Sequence, residues 1–249
     1  MKISTNRLKF LKSLQIKKYR QKHQAFLAEG EKICQEIFAS AWEIHSFYCT
    51  PEYVPAHEAQ LAAFAFDFQV VSAESLRQAG TLAQNEQCLA VVKMPPPPPV
   101  LSGQPYTLVL DHLQDPGNLG TILRLADWYG LKEVICSPDS VDVYHPKAIA
   151  ASMGSFLRVR AVYQDLSAFL IKETRPRLGA LLQGQNLHQF AFPSTGVLVL
   201  GNESQGISPE VARLLDTALQ IPRFGGAESL NVAMATAIFC DHIRRQVLF

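Results

Sequence analysis

Five consecutive prolines, Pro95 to Pro99, constrain this chain more than any other feature. Proline lacks the backbone N–H that a helix or a sheet ladder needs, and its ring fixes φ near about −65°, so the run favours a stiff polyproline II segment. Such a segment does not cross a packed core; it separates two folding units. The chain is accordingly read as residues 1–94, a proline-rich linker at 95–104, and residues 105–249, both flanking parts being ordinary domain sizes. With 48% of its 249 residues hydrophobic, the chain can supply each part with a core. The proline run is the one low-complexity stretch, and no internal repeat is evident.

Ahead of the linker, short apolar runs predict strands at Phe26–Ala28, Ile44–Tyr48, Phe68–Val71 and Leu89–Val92, with helices such as Glu31–Ser40 and Ser72–Ala79 between them. This order predicts a small αβα layer. Behind the linker, strands are predicted at Tyr106–Leu110, Glu133–Cys136, Leu157–Val162, Leu178–Leu182, Gly196–Leu200 and Ala218–Ile221, and a last long helix from about Leu230 to Val247. Runs such as Thr107–Leu110 and Val197–Leu200 are apolar at nearly every position, as strands are when helices cover both faces of a parallel sheet. The fold class is α/β with right-handed crossovers.

The formal net charge is only +1, so attraction to a polyanion must come from how charge is distributed. Lys2, Arg7, Lys9, Lys12, Lys17, Lys18, Arg20 and Lys22 all precede the first acidic residue, Glu29. They make either a solvated helix face or a phosphate-contacting surface. The five cysteines, Cys34, Cys49, Cys88, Cys136 and Cys240, are scattered among apolar residues with no C-x-x-C pair, as expected of buried thiols in a reducing compartment. No apolar h-region follows Met1 and no run has the length of a membrane span, which predicts a soluble cytoplasmic protein. No His, Cys and carboxylate cluster shows metal-ligand spacing, so no metal is expected.

Ligands of doubly wound sheets sit beyond the carboxyl ends of strands, and three polar, glycine-containing segments fall there. The first is Asp111-His112-Leu113-Gln114-Asp115-Pro116-Gly117-Asn118-Leu119-Gly120-Thr121-Ile122-Leu123-Arg124, with a turn at Asp115-Pro116-Gly117 and Asn118 as the expected N-cap. The second, Gly201-Asn202-Glu203-Ser204-Gln205-Gly206-Ile207-Ser208-Pro209, brackets a carboxylate with glycines ahead of a helix start. The third, Ile221-Pro222-Arg223-Phe224-Gly225-Gly226-Ala227-Glu228-Ser229-Leu230-Asn231-Val232-Ala233, leads through Ser229 as the expected N-cap into a helix whose first turn holds Asn231. Each segment alone is a weak signal; their joint occurrence in strand-to-helix context is stronger. His112 and His145 are acid–base types, although a lone histidine near a strand end is more often structural.

Together the three segments resemble the signature motifs of the SpoU (TrmH-like) branch of the SPOUT RNA methyltransferases, over roughly Tyr106 to Gln246. The amino-terminal part resembles the L30e-like RNA-binding domain that many such enzymes carry. The chain departs from the family pattern at Arg223, where many members have methionine. The resemblance implies a SPOUT domain whose carboxyl-terminal segment forms a deep trefoil knot, against the general rarity of threaded chains. It implies S-adenosylmethionine as cofactor, held through backbone groups at Gly201, Ile221 and Leu230 with a contribution near Leu182. It also implies a homodimer with a shared active site, in which Asn118, Arg124, Glu203, Ser229 and Asn231 form the functional polar set.

The expected reaction is transfer of a methyl group to a ribose 2′-hydroxyl, with ribosomal RNA ahead of transfer RNA as substrate. Family proposals give Arg124 the activating role, but a guanidinium with a pKa above about 12 is a poor base and serves more readily as a clamp for negative charge. Two rivals come from other classes. A Rossmann-type dehydrogenase or methyltransferase lacks support, because Gly117-x-x-Gly120 has neither the third glycine nor the distant acidic residue of that fingerprint. A non-catalytic RNA-binding protein of the same fold would have no need of the five polar residues.

Overall fold

A computed structural model describes residues 2–63, 67–81, 85 and 87–247. By packing they form two compact units, residues up to Pro96 together with Tyr144–Leu157, and Pro97–Val143 together with residues from Arg158 onward.

The first unit contains α1 (Thr5–Ser13), α2 (Lys17–His23), β1 (Ala25–Glu29), α3 (Glu31–Phe38), β2 (Ile44–Cys49), α4 (Tyr53–Ala63), β3 (Asp67–Val70), α5 (Ala73–Ala79) and β4 (Cys88–Lys93). Among the described residues its sheet has the order β1-β4-β2-β3, with β4 antiparallel to β1 and β2, and β2 parallel to β3. Strand alternation sends side chains to two opposite cores. Leu27, Tyr48, Leu89 and Val91 pack with Leu11 and Leu14 from the amino-terminal segment and with Leu76 and Ala79 of α5. The intervening Phe47 meets Phe38 of α3 and Tyr53 of α4, with ring centroids 5.2 and 5.6 Å apart. The predicted αβα layer is therefore present. Segment Tyr144–Leu157 lies beyond the proline run in sequence, yet Tyr144 and Phe156 join Phe26 and Trp42 in an aromatic cluster with centroids 4.8 to 6.2 Å apart.

Two of the eight early basic residues serve the fold. Arg20 is only 1% exposed, and its Nη1 donates to the carbonyls of Leu14 (3.0 Å) and Gln15 (2.9 Å), fixing the turn between α1 and α2. Arg7 donates to the Tyr48 hydroxyl and pairs with Asp67. The six lysines stay exposed.

Beyond the linker come β5 (Tyr106–Leu110), α6 (Pro116–Trp128), β6 (Glu133–Cys136), α7 (Pro146–Ser152), β7 (Arg160–Tyr163), α8 (Leu166–Lys172), β8 (Arg177–Asn186), β9 (Gly196–Leu200), α9 (Pro209–Ala212), β10 (Thr217–Gln220) and α10 (Val232–Gln246), of which α7 packs in the first unit. The second unit's sheet has the order β10-β8-β9-β5-β6-β7, all neighbours parallel. Both β5 and β9 are buried along their whole length, as their unbroken apolar runs require. The chain builds outward from β5 through β6 and β7, then crosses to the other side for β8, β9 and β10. The reversal falls between β5 and β9, and the loops after these two strands lie side by side there.

Several boundaries differ from expectation. Residues Ser155–Leu157 form a 3-10 turn, and the strand predicted from Leu157 starts at Arg160. The strand predicted to end at Leu182 continues to Asn186. Its pairing with β10 jumps from Gly179 to Gln185, leaving residues 180–184 out of the ladder; a Cβ on Gly184 would lie 2.4 Å from the Ala218 carbonyl oxygen, so only glycine permits this approach. The last helix starts at Val232, capped by Asn231 rather than by Ser229. All five cysteines are free and buried, and burial pushes the Cys136 and Cys240 thiols up to about 12.

Replacing Arg20 by Met removes two charge-assisted hydrogen bonds from a buried site. It is expected to lower stability by about 3 kcal/mol in urea unfolding; a change within about 0.5 kcal/mol would show the turn to be set by other contacts.

Candidate active site

The loop after β5 enters α6 through Asp115, whose Oδ1 accepts from the Asn118 backbone N–H at 2.8 Å. Asn118 was the expected cap, but Pro116 occupies the first helical position, so the capping residue must precede it. The shift frees the Asn118 amide for other partners. Its Nδ2 donates to Glu203 Oε1 at 2.9 Å, and its Oδ1 accepts from Asn231 Nδ2, also at 2.9 Å. Asn231 in turn uses Oδ1 to accept from the backbone N–H groups of Ala233 (2.9 Å) and Met234 (3.3 Å), capping α10. The polarity of this relay is forced from both ends. A carboxylate only accepts, and a helix cap must present oxygen. Three segments distant in sequence thus meet in one hydrogen-bonded line, with the N-termini of α6 and α10 side by side. Their aligned peptide dipoles favour an anion or a developing negative charge there.

A second set of bonds holds the loops that carry this relay. Asp111, at the end of β5, is 1% exposed; its Oδ2 accepts from the Ser208 backbone N–H at 2.7 Å and its Oδ1 meets His112 Nδ1 at 2.7 Å. His112 Nε2 lies 2.7 Å from Asp139 Oδ2, so the ring is bracketed by two carboxylates. His112 has a left-handed backbone (φ +55°), and its carbonyl accepts from Asn202 Nδ2 at 2.8 Å. Asn202 Oδ1 then accepts from the N–H groups of Ser204 (2.9 Å) and Gln205 (3.1 Å), closing the turn that presents Glu203. Gly201 completes it, because a Cβ there would sit 2.1 Å from the Gly206 carbonyl carbon. Asp111 and Asn202 were not singled out in the sequence; an acidic residue directly after an apolar strand, facing a second polar loop, was the available signal.

Two of the expected cofactor-binding positions directly follow strands, β9 and β10, which have β8 between them. Gly201 follows β9, Ile221 follows β10, and Leu230 precedes the Asn231 cap. Leu182 lies within the looped-out part of β8 and is 74% exposed. The segment 221–230 is irregular, with exposed Phe224 and Leu230, and Arg223 Nη1 reaches the Ala227 carbonyl at 3.4 Å. Two predicted residues stay outside the hydrogen-bonded line. Arg124 and Ser229 are exposed, and their side chains make no hydrogen bond or ion pair among the described residues. Arg124 shares its helix face with Trp128, four residues on and 82% exposed. Among the described residues no group of three or more His, Cys, Asp or Glu side chains is placed to hold a metal ion, and no helix is long and apolar enough to cross a membrane.

Burial works against a charged His112 ring, but the hydrogen bond to Asp111 and the charges of Asp111, Asp139 and Glu210 outweigh it and hold its pKa above the ordinary histidine value. A raised folded-state pKa adds stability that is complete below the unfolded value of about 6.5 and is lost as pH rises through the folded value. Replacing His112 by Gln is therefore expected to lower the thermal midpoint at about pH 5.5 and to cost less at about pH 9. A cost independent of pH would show that the bracket holds a neutral ring.

Comparison with known proteins agrees with this geometry. The SpoU rRNA Methylase family model matches residues 105–241, and an MRM3-like substrate binding domain matches residues 5–90. The 23S rRNA (guanosine(2553)-2'-O)-methyltransferase RlmP of Bacillus subtilis is 29% identical over 242 residues, 96% of each chain. A putative RNA methyltransferase of the TrmH family from Porphyromonas gingivalis superposes with a TM-score of 0.85 at 36% identity, covering 99% of this chain and 100% of that one. An AdoMet-bound rRNA methyltransferase from Sinorhizobium meliloti gives 0.87 at 26% identity, covering 100% and 98%. With the methylase model spanning more than half of its length and its three motif loops joined by one hydrogen-bonded line, the chain belongs to the SpoU rRNA methylase family.

Proposed function

We propose that this protein transfers a methyl group from S-adenosylmethionine to a ribose 2′-hydroxyl of ribosomal RNA, working as a homodimer in the cytoplasm. Residues 105–249 carry the transfer and residues 1–94 hold RNA, with the proline-rich linker at 95–104 between them. The observation that carries the reading is the Glu203–Asn118–Asn231 line, which joins all three motif loops at the N-termini of two helices. Ribosomal RNA is preferred because the B. subtilis relative, named for that substrate, aligns with nearly the whole chain, amino-terminal part included.

The strand ends suit the cofactor. Leu182, Phe224 and Leu230 are large apolar side chains left exposed, and an adenine ring laid against them would cover them. Gly201 after β9, Ile221 after β10 and Leu230 beside the Asn231 cap are the positions whose backbone groups are assigned to the edge of such a ring. When bound, the cofactor supplies an electrophilic methyl carbon on a sulfonium. The family's trefoil knot, with the carboxyl-terminal segment threaded through a loop, would bring these ends together.

The protein's part is to hold the sugar oxygen in line behind that carbon and to offset charge as the hydroxyl proton leaves. Glu203 fixes the Asn118 amide, and the helix N-termini behind Asn118 and Asn231 lower the cost of a forming alkoxide. Ser229 stands beside the cap with its hydroxyl free to orient the sugar. Arg124 lies off this line within one chain and points from the same face as Trp128. In a homodimer that face meets the partner, and Arg124 completes the partner's site as a clamp for negative charge.

Calorimetric titration with S-adenosylmethionine is expected to give saturable heat, which a binding-only protein would not. Arg124→Lys keeps the charge but loses the planar fork, and should reduce methyl transfer on the order of 100-fold while leaving cofactor heat in place; near-normal turnover would refute the clamp. Trp128→Glu should yield a monomer by analytical ultracentrifugation with transfer lost, and an unchanged dimer would remove this face from the interface.

A further inference from the structure

We propose that the exposed lysines of α1, α2 and the residues before them form the RNA-holding face of the first unit, and that this face grips phosphates without reading sequence. The inference rests on the RNA methyltransferase reading and specifies how that substrate is held. Lys2, Lys9, Lys12, Lys17, Lys18 and Lys22 are all exposed, and none has an acidic partner among the described residues. No acidic residue precedes Glu29, and Glu29 itself is buried, accepting from the backbone N–H and hydroxyl of Thr81. Of the acids on neighbouring elements, Asp67 pairs with Arg7, and Glu74 of α5, which packs on α1, accepts from the neutral amide of Gln78 at 3.1 Å and pairs with none of these lysines.

The two helices are held as one surface. Arg20 bonds the carbonyls of Leu14 and Gln15 at the end of α1, and His23 at the end of α2 packs edge-on against Phe10, 5.2 Å between centroids. Phe10 is on α1, so this contact sets the end of α2 that carries Lys22 against α1, whose Lys9 and Lys12, three residues apart, share an exposed face. Lys18 and Lys22 are four residues apart in a seven-residue helix. A like-charge pair at this spacing costs a few tenths of a kcal/mol, and a helix this short does not stand alone in water. Folding stability gives no reason to gather these charges; a polyanion does.

The choice of side chain sets the mode of recognition. Both arginines of the segment, the forked donors suited to reading base edges, are engaged by protein partners, Arg20 in the interior and Arg7 through Tyr48 and Asp67. Lysine presents a point charge that follows phosphate and carries little sequence information. The face therefore supplies affinity, and the choice of nucleotide lies elsewhere.

The test uses the full chain and K17Q/K18Q/K22Q, with fluorescence anisotropy on a labelled RNA hairpin and on a second hairpin of the same shape and scrambled sequence, each over a salt series. The triple variant is expected to flatten the slope of log K against log salt by about 2 to 3, at roughly 0.7 to 0.9 per lost phosphate contact, and to weaken both hairpins by the same factor. S-adenosylmethionine heat should be unchanged. An unchanged slope, or a loss confined to one hairpin, would overturn the proposal. Absence of cofactor heat in the parent protein would instead fail the methyltransferase reading, while the slope would still decide the role of the lysines.

Discussion

The carboxylate of Asp111 is the pivot of the second unit. It sits at the carboxyl end of a fully buried strand with almost no access to water, where an ionised group is tolerated only if its lone pairs are engaged. One oxygen takes the Ser208 N–H at the far end of the β9 loop, and the other takes the His112 ring. That single group ties the loops after β5 and β9 together. The Asn202-to-His112 bond then sets the near end of the same loop. Glu203 can meet Asn118 because the turn that carries it is pinned on both sides.

A line of amides has value here because it has only one arrangement. An isolated asparagine can present either oxygen or nitrogen, but Asn118 lies between a carboxylate that must accept and an Asn231 amide whose oxygen already caps α10. Neither end can reverse without leaving a donor facing a donor. Order is imposed locally, and the positive ends of two helices are aimed at one place with no side-chain cation among the bonded groups.

The sequence made the architecture legible wherever composition alone decides the outcome. Unbroken apolar runs at Tyr106–Leu110 and Gly196–Leu200 mark central parallel strands, and both have the predicted bounds. The three polar segments were found by their position after strands, and they do converge. The rest turns on competition between side chains at a helix start and on neighbours distant in sequence. Asn118 and Ser229 looked like caps, but Pro116 moves one cap back and the Asn231 side chain takes the other. The end of β8 was misplaced because residues 180–184 leave the ladder at a point set by the approach of Ala218 to Gly184. Of the early basic residues, nothing local distinguishes Arg20 from its lysine neighbours; only the carbonyls it meets show it to be structural.

Phe26 stacks on Tyr144 and meets Phe156 edge-on, so the first unit is finished by residues that come after the proline run. Its core is discontinuous in the gene. A growing chain that has just passed Pro99 still has one aromatic face of the β1 strand uncovered, and it must lay down β5, α6 and β6 before the missing piece emerges. Maturation of the unit read as holding RNA is thereby delayed until part of the transfer domain has been made, and no single cut at the linker would separate two intact bodies.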